Sequence, residues 1–163
     1  RIQKHTFIYL KNLKSLDNFG YHKINQIEHK AFFGLSNIVV INLNYNLLSK
    51  ILNRSFYGLK SLLRLYLSNN QLETIQKNAF IDLKNLFVLD ISFNQIKFLS
   101  STIFKGLEKL INFFASQNGL SNFEFDGEFS FLYPSYRIFS LSSNKLQSIR
   151  KNLLSKNNSE FLK

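Results

Sequence analysis

The sequence predicts a solenoid, in which similar coils stack side by side around one continuous apolar core. Two observations predict this fold. An apolar triplet, Phe-x-x-Leu-x-x-apolar, recurs along most of the 163 residues, and a second block follows each copy, with a fixed Asn in every block after the first. A fixed period in the range of about 20 to 50 residues is the signature of proteins whose units bury their apolar faces against one another.

The spacing of the triplets is nearly constant. Their last position advances by an identical step from Ile38 through Leu62 and Leu86 to Leu110, whereas the step before Ile38 is one position longer and the step from Leu110 to Tyr136 is two positions longer. The five triplets are Phe7/Leu10/Leu13, Phe32/Leu35/Ile38, Phe56/Leu59/Leu62, Phe80/Leu83/Leu86 and Phe104/Leu107/Leu110. We expect their Phe side chains to fill the core, and the glycines that follow them, with Asp82 in the same slot, to adopt positive φ.

The second block predicts a short strand followed by a bend. Its cleanest copy is Leu62-x-x-Leu65-x-Leu67-x-x-Asn70-x-Leu72-x-x-Ile75, in which Leu65 and Leu67 alternate with the period of a strand. An Asn at the bend has the donors and the acceptor to satisfy backbone groups exposed there. We predict a structural ladder of Asn46, Asn70, Asn94, Asn118 and Asn144.

The full pattern, L-x-x-L-x-L-x-x-N-x-L-x-x-I-x-x-x-x-F-x-x-L, resembles the leucine-rich repeat in its typical 24-residue subclass, over residues 7–155. That subclass is similar to the extracellular ectodomains of Toll-like receptors, of leucine-rich-repeat hormone receptors and of small matrix proteoglycans. The resemblance implies an α/β fold, a right-handed solenoid of about six repeats with a parallel concave β-sheet and an irregular or 3₁₀ convex side. The family's cysteine-bearing end caps are absent, since the chain has no Cys.

The ends and two irregular stretches depart from the pattern. We expect residues 1–163 to be a single solenoid segment without end caps, a fragment of a longer array, because neither end is polar enough to cover the core. His22 stands where the pattern has Asn. Between Phe123 and Pro134 the chain gains two residues and contains the turn dipeptide Asp126-Gly127, so this stretch is either an acidic edge feature or a packing variant.

The sequence contains no constellation of catalytic residues. His5, His22 and His29 are the only histidines and have no metal-ligand spacing, while the glycines lie in separate repeats rather than in a phosphate-binding loop. No apolar run is long enough for a membrane span. We therefore predict a binding scaffold rather than an enzyme, with no cofactor and no metal.

The outward positions of the strands predict a binding face on the concave side. Reading along the repeats, one outward column starts at Asn42 and another at Val40, while two further columns follow the strands from Asn44 and from Tyr45. Small hydroxyl residues dominate the Asn44 column, and aromatic residues flank it. Because Tyr and Arg are frequent at binding hot spots, the predicted partner-binding patch is Tyr45, Arg64, Tyr66, Asp90, Phe93 and Phe114.

The net charge of +11 suggests either a polyanion ligand or a lysine-rich solvated surface. The concave columns hold one Arg and one Asp, whereas Lys60, Lys84 and Lys109 lie on the loops that lead into the strands. The excess charge avoids the predicted patch, which disfavours a nucleic-acid partner. Binding of a heparan-type glycan by the flanking lysines is a lesser hypothesis.

The leading functional interpretation is a segment of a receptor or secreted recognition protein, of innate-immune or hormone-receptor type, located outside the cell or at its surface. Its ligand would be a protein, a glycan or a lipid, and the same surface could form a homodimer or heterodimer. The alternative is an intracellular structural or adaptor module. Two glycosylation sequons, at Asn53 and Asn157, weakly favour secretion.

Overall fold

The computed structural model describes residues 1–17, 21–124 and 138–149. A six-stranded parallel sheet runs the length of this part, with one strand from each coil. Its strands are β1 (Ser15–Leu16), β2 (Val40–Asn42), β4 (Arg64–Tyr66), β6 (Val88–Asp90), β8 (Asn112–Phe114) and β10 (Ile138–Ser140), adjacent in that order. From β2 to β8 each residue pairs with its equivalent in the next repeat, for example Leu65 with Leu89. The spacing of the repeats is therefore the register of the sheet.

The opposite side of the coils carries shorter strands. They are β3 (Lys50–Ile51), β5 (Thr74–Ile75), β7 (Phe98–Ser100), β9 (Asn122–Glu124) and β11 (Ser148–Ile149). Strands β3 and β5 form one parallel pair, and β7, β9 and β11 form a three-stranded sheet. Within the described residues the only helix is a 3₁₀ helix at Ser101–Phe104. The predicted solenoid of parallel strands is confirmed, and it contains about five turns with almost no helix.

The core lies between these two sides and is built from the predicted columns. The Leu and Ile side chains of the sheet strands β2, β4 and β6 are fully buried, as are Phe32, Phe56, Phe80 and Phe104. The rings of Phe32 and Phe56 stack with their centroids 5.6 Å apart, and those of Phe56 and Phe80 stack at 5.7 Å. Phe104 packs edge-on against Phe113, at 4.9 Å. Each coil thus covers the apolar face of the next, as a repeat array requires.

The 3₁₀ helix has a local cause in the sequence. In the corresponding slot of the two preceding coils, Arg54 and Asn78 adopt left-handed backbone conformations, with φ of 52° and 60°. The next residue in this column is Thr102, whose branched Cβ disfavours that conformation, and it does not adopt positive φ. The chain instead forms the helix, and the Ser100 hydroxyl caps its N-terminus by accepting from the Thr102 N–H at 3.3 Å.

The glycines after the Phe column behave as predicted in three coils, and Asp82 does not. Gly34, Gly58 and Gly106 have φ of 105°, 87° and 88°. The expectation of positive φ at Asp82 is wrong, since this residue stays out of the left-handed region. The predicted acidic feature after Glu124 lies outside the described residues.

Candidate functional site

The five predicted ladder asparagines occupy one position of successive coils and make one repeated set of hydrogen bonds. The Asn70 Oδ1 accepts from the Leu48 N–H of the preceding coil at 3.0 Å. Its Nδ2 contacts the Leu67 carbonyl at 3.1 Å and the Leu43 carbonyl of the preceding coil at 3.0 Å. Asn94, Asn118 and Asn144 repeat this arrangement one coil at a time. The amides join neighbouring coils immediately beyond the ends of the sheet strands.

Asn46 supports the first, degenerate coil. Its Oδ1 accepts from the Ile24 N–H at 2.9 Å and from the His22 N–H at 3.2 Å. The coil in which His22 replaces the usual Asn therefore remains attached to the array through its backbone.

Four residues of the predicted patch lie on the sheet itself. Arg64 opens β4, and Tyr66, Asp90 and Phe114 occupy the last positions of three adjacent strands, where they are direct register partners. Arg64 is exposed and the other three are half-buried. The Asp90 Oδ1 accepts from the Ser92 N–H at 2.9 Å. Tyr66, Asp90 and Phe114 form one row across the sheet, and Arg64 lies in the row that Val40 and Val88 share. We call the surface that contains both rows the sheet face.

The other two residues of the patch, Tyr45 and Phe93, lie beyond the strands rather than on them. Both have left-handed backbone conformations, with φ of 56° and 53°. Their side chains are 47% and 54% exposed. We call this row of turns the trailing flank, and its described members are Tyr21, Tyr45, Asn69, Phe93, Gln117 and Ser143, all with positive φ. The patch consists of two neighbouring rows on different backbone elements.

Tyr21 belongs to the trailing flank and was missed in the sequence. It is 74% exposed, and its ring stacks on Tyr45 with centroids 4.5 Å apart. Desolvation, followed by the neighbouring Tyr45 hydroxyl, raises the pKa of Tyr21 above its ordinary value. Tyr45 follows Tyr21 at one repeat interval, and this spacing was a signal that could have identified Tyr21.

The row of small hydroxyls differs from expectation. Ser68 and Ser92 are buried, so they do not present their side chains to a partner. The chain bends immediately after each strand, which places these residues beneath the turn that the ladder asparagines hold. Farther along the same row, the Ser142 and Ser116 hydroxyls are hydrogen-bonded at 2.9 Å, and Ser116 also contacts the Ser140 hydroxyl at 2.7 Å.

The family profile described as "Leucine rich repeat" matches residues 20–72 and 61–120. The chain belongs to the leucine-rich repeat family. Folds of this kind are repeat scaffolds with extended surfaces that partners bind. Comparison with curated proteins finds no significant match.

A solved structure with the same fold is the crystal structure of a TLR13–ssRNA13 complex. The two chains align with a TM-score of 0.68 and 22% sequence identity, over 90% of this chain and 28% of that chain. This chain therefore spans little more than a quarter of the length of the chain in that structure. At this identity the similarity shows the solenoid fold.

The remaining predicted positions are placed as follows. Asn53, the first sequon asparagine, is exposed on the turn after β3, and its N–H donates to the Gln76 Oε1 at 2.9 Å. Asn157 lies outside the described residues. The described part of the chain contains no group of His, Cys, Asp and Glu side chains that could hold a metal ion. None of the helices in that part has the length and hydropathy needed to cross a bilayer.

Proposed function

We propose that this chain is a ligand-recognition segment of an extracellular or cell-surface receptor, or of a secreted recognition protein, of innate-immune or hormone-receptor type. The ligand would bind across the sheet face and the trailing flank. The observation that carries the proposal is the placement of large exposed aromatic side chains, Tyr45 and Phe93, on strained turns beside the sheet face.

The backbone strain at Tyr45 and Phe93 argues for a binding role, because the equivalent position of another coil holds a residue that tolerates the left-handed conformation at a lower cost. The left-handed conformation costs an L-residue about 1–2 kcal/mol, and Asn tolerates it better than most. Asn69 occupies the slot between Tyr45 and Phe93. The Phe93 ring, 54% exposed there, gains little from burial in the free protein. A partner that covers the ring would supply the missing gain.

The charge of the surface favours a protein ligand. The described strands of the sheet face contain one cation, Arg64, and one anion, Asp90, so their charges cancel. Protein surfaces that bind nucleic acids are strongly basic because contacts to the phosphates supply much of the affinity. RNA is nevertheless a defined arm of the test, since the similar TLR13 structure is an ssRNA complex.

Site-specific photo-crosslinking in the full-length protein, made in its own cells, tests the proposed surface. Phe93 and Phe98 form a matched pair, because they are 54% and 50% exposed and lie on opposite sides of the solenoid. We expect p-benzoylphenylalanine at position 93 to capture a macromolecular partner and the same residue at position 98 to capture none. Equal capture from both positions would contradict the proposal.

The nature of the captured adduct distinguishes the partners. Protease sensitivity identifies a protein, nuclease sensitivity identifies RNA, and an adduct with the mass of two chains identifies a homodimer. A nuclease-sensitive adduct would overturn the inference of a protein ligand while leaving the recognition surface in place.

Glycosylation of Asn53 tests the compartment. We propose that Asn53 and Asn157 carry N-linked glycans, because Asn53 is exposed away from the sheet face. Mass spectrometry of the native protein should show a glycan on Asn53 that Asn53→Gln removes. An unmodified Asn53, together with failure of a membrane-impermeant reagent to label the protein on intact cells, would favour the intracellular adaptor instead.

A further inference from the structure

A second surface lies on the opposite flank, where the chain leads into the sheet strands. We call this side the leading flank. It contains a groove of about 1000 Å³ that runs across four successive coils. Its walls include the rings of Phe33 and Tyr57, the side chains of Lys11, Lys60 and Lys84, and one acidic residue, Asp82. None of these residues belongs to the sheet face or to the trailing flank.

Two of the three aromatic rings that line the groove, those of Phe33 and Tyr57, are covered on their faces, whereas the third, Tyr9, is 91% exposed. Phe33 and Tyr57 stack on each other with centroids 6.1 Å apart, and His5 packs against Phe33 at 5.5 Å. The Lys30 ammonium lies over the Tyr57 ring, 5.1 Å from its centroid. Phe33 and Tyr57 therefore present ring edges to the groove, and these edges carry the positive end of the aromatic quadrupole. Of the three rings, Tyr9 offers an exposed face on which a flat base can stack, so a single-stranded nucleic acid is a required competitor in the binding test.

The charged groups of the groove add to this positive edge. Lys11, Lys60 and Lys84 outnumber Asp82 by two charges. Glu108 pairs with Lys84 at 3.0 Å, but both side chains are exposed, so the pair is weak and can be displaced. The lysines are compact, strongly hydrated charges rather than planar bidentate groups. A row of such charges suits sulfate and carboxylate groups distributed along a polymer.

We propose that the leading-flank groove binds a linear anionic glycan of the sulfated polysaccharide class. Lysines stand in three of the four coils that the groove crosses. Adjacent parallel strands lie about 4.8 Å apart, so the lysine row spans about 14 Å along the solenoid. A sugar chain lying along this row places its anionic substituents on the lysines and its electronegative oxygen atoms against the positive aromatic edges. Because the groove is on the other flank, the glycan and a ligand on the sheet face can bind together.

Heparin binding to the intact chain tests the proposal. We compare the triple variant Lys11→Gln, Lys60→Gln, Lys84→Gln with a control triple variant of equal charge, changed at lysines outside the groove. The control positions are Lys50, Lys77 and Lys105, all exposed. The groove variant should weaken the Kd for a heparin oligosaccharide by about tenfold or more, and the control by about threefold or less. Equal losses would overturn the proposal and assign heparin binding to net charge alone.

Two further measurements distinguish a glycan from other polyanions and show that the variants are folded. Glu108→Gln releases Lys84 and should tighten heparin binding about twofold, a gain that a misfolded variant would not show. Poly(U) and poly-glutamate are the competing probes. Binding of either as tightly as heparin, with the same dependence on the three groove lysines, would overturn the glycan assignment.

Discussion

Replacing Asn70 with Ala tests the ladder. The Asn70 side chain is buried, and its Oδ1 accepts from the Leu48 N–H at 3.0 Å. No other acceptor serves this N–H among the described hydrogen bonds, and Leu48 is itself fully buried. The Nδ2 approaches three carbonyl oxygens, those of Leu43, Leu67 and Ser68, at 3.0, 3.1 and 3.2 Å. An alanine removes all of these contacts at once.

The hydrogen bonds that Asn70→Ala removes differ in their importance, and this difference sets the expected loss of stability. Each of the three carbonyls keeps a second donor after the substitution. Those donors are the Asn46 Nδ2, the Asn94 Nδ2 and the Tyr45 N–H. The Leu48 N–H keeps none, so the main cost is one buried unsatisfied donor, about 1–3 kcal/mol. We expect Asn70→Ala to lower the free energy of unfolding by about 2 kcal/mol, measured by urea titration with far-UV circular dichroism.

The control is the preceding residue. Asn69 has φ of 54°, so an alanine there would add backbone strain, whereas a glycine accepts this conformation. Asn69→Gly removes only a 3.3 Å contact between the Asn69 Nδ2 and the Ser68 hydroxyl, and should change stability by about 0.5 kcal/mol or less. If the two variants are equally stable, or if the Leu48 amide exchanges with solvent no faster in Asn70→Ala, the reasoning about the ladder is refuted.

Three further predictions concern the turns. Gly106→Ala should destabilise the protein by about 2 kcal/mol more than Gly58→Ala in the same urea assay. Both glycines have positive φ, but a Cβ at Gly106 would collide with the Ile81 carbonyl, whereas the atom nearest to a Cβ at Gly58 is 3.8 Å away. Equal losses of stability would show that φ alone matters. Phe93→Asn should raise the free energy of unfolding by up to about 1 kcal/mol and abolish partner capture by p-benzoylphenylalanine placed at position 45 instead of position 93; a destabilised variant would remove the strain argument. Tyr45→Phe should lower the pKa of Tyr21 towards 10.0 in an ultraviolet pH titration, since it removes the neighbouring hydroxyl that helps to raise this pKa. An unchanged pKa of Tyr21 would exclude Tyr45 as a cause.

The sequence by itself determined the repeat, the register and the core. Residues one repeat interval apart, such as Leu65 and Leu89, pair in the parallel sheet. They pair because each coil must place its apolar positions against the equivalent positions of the next coil. The position of each ladder asparagine could also be predicted, since a buried bend needs one side chain with both donors and an acceptor.

Tertiary structure decided which side chains reach the surface and how they group. An outward column in the sequence gives no backbone conformation, so the burial of Ser92 and the left-handed φ of Phe93 became visible only with the bend in place. The leading-flank groove joins Lys11 to Lys84, which are distant in the chain and lie in the first and last of the four coils that it crosses. The periodicity of the sequence determines the core positions that every coil shares. A surface that crosses several coils depends instead on the residues that vary from coil to coil, and these residues come into contact only when the coils stack.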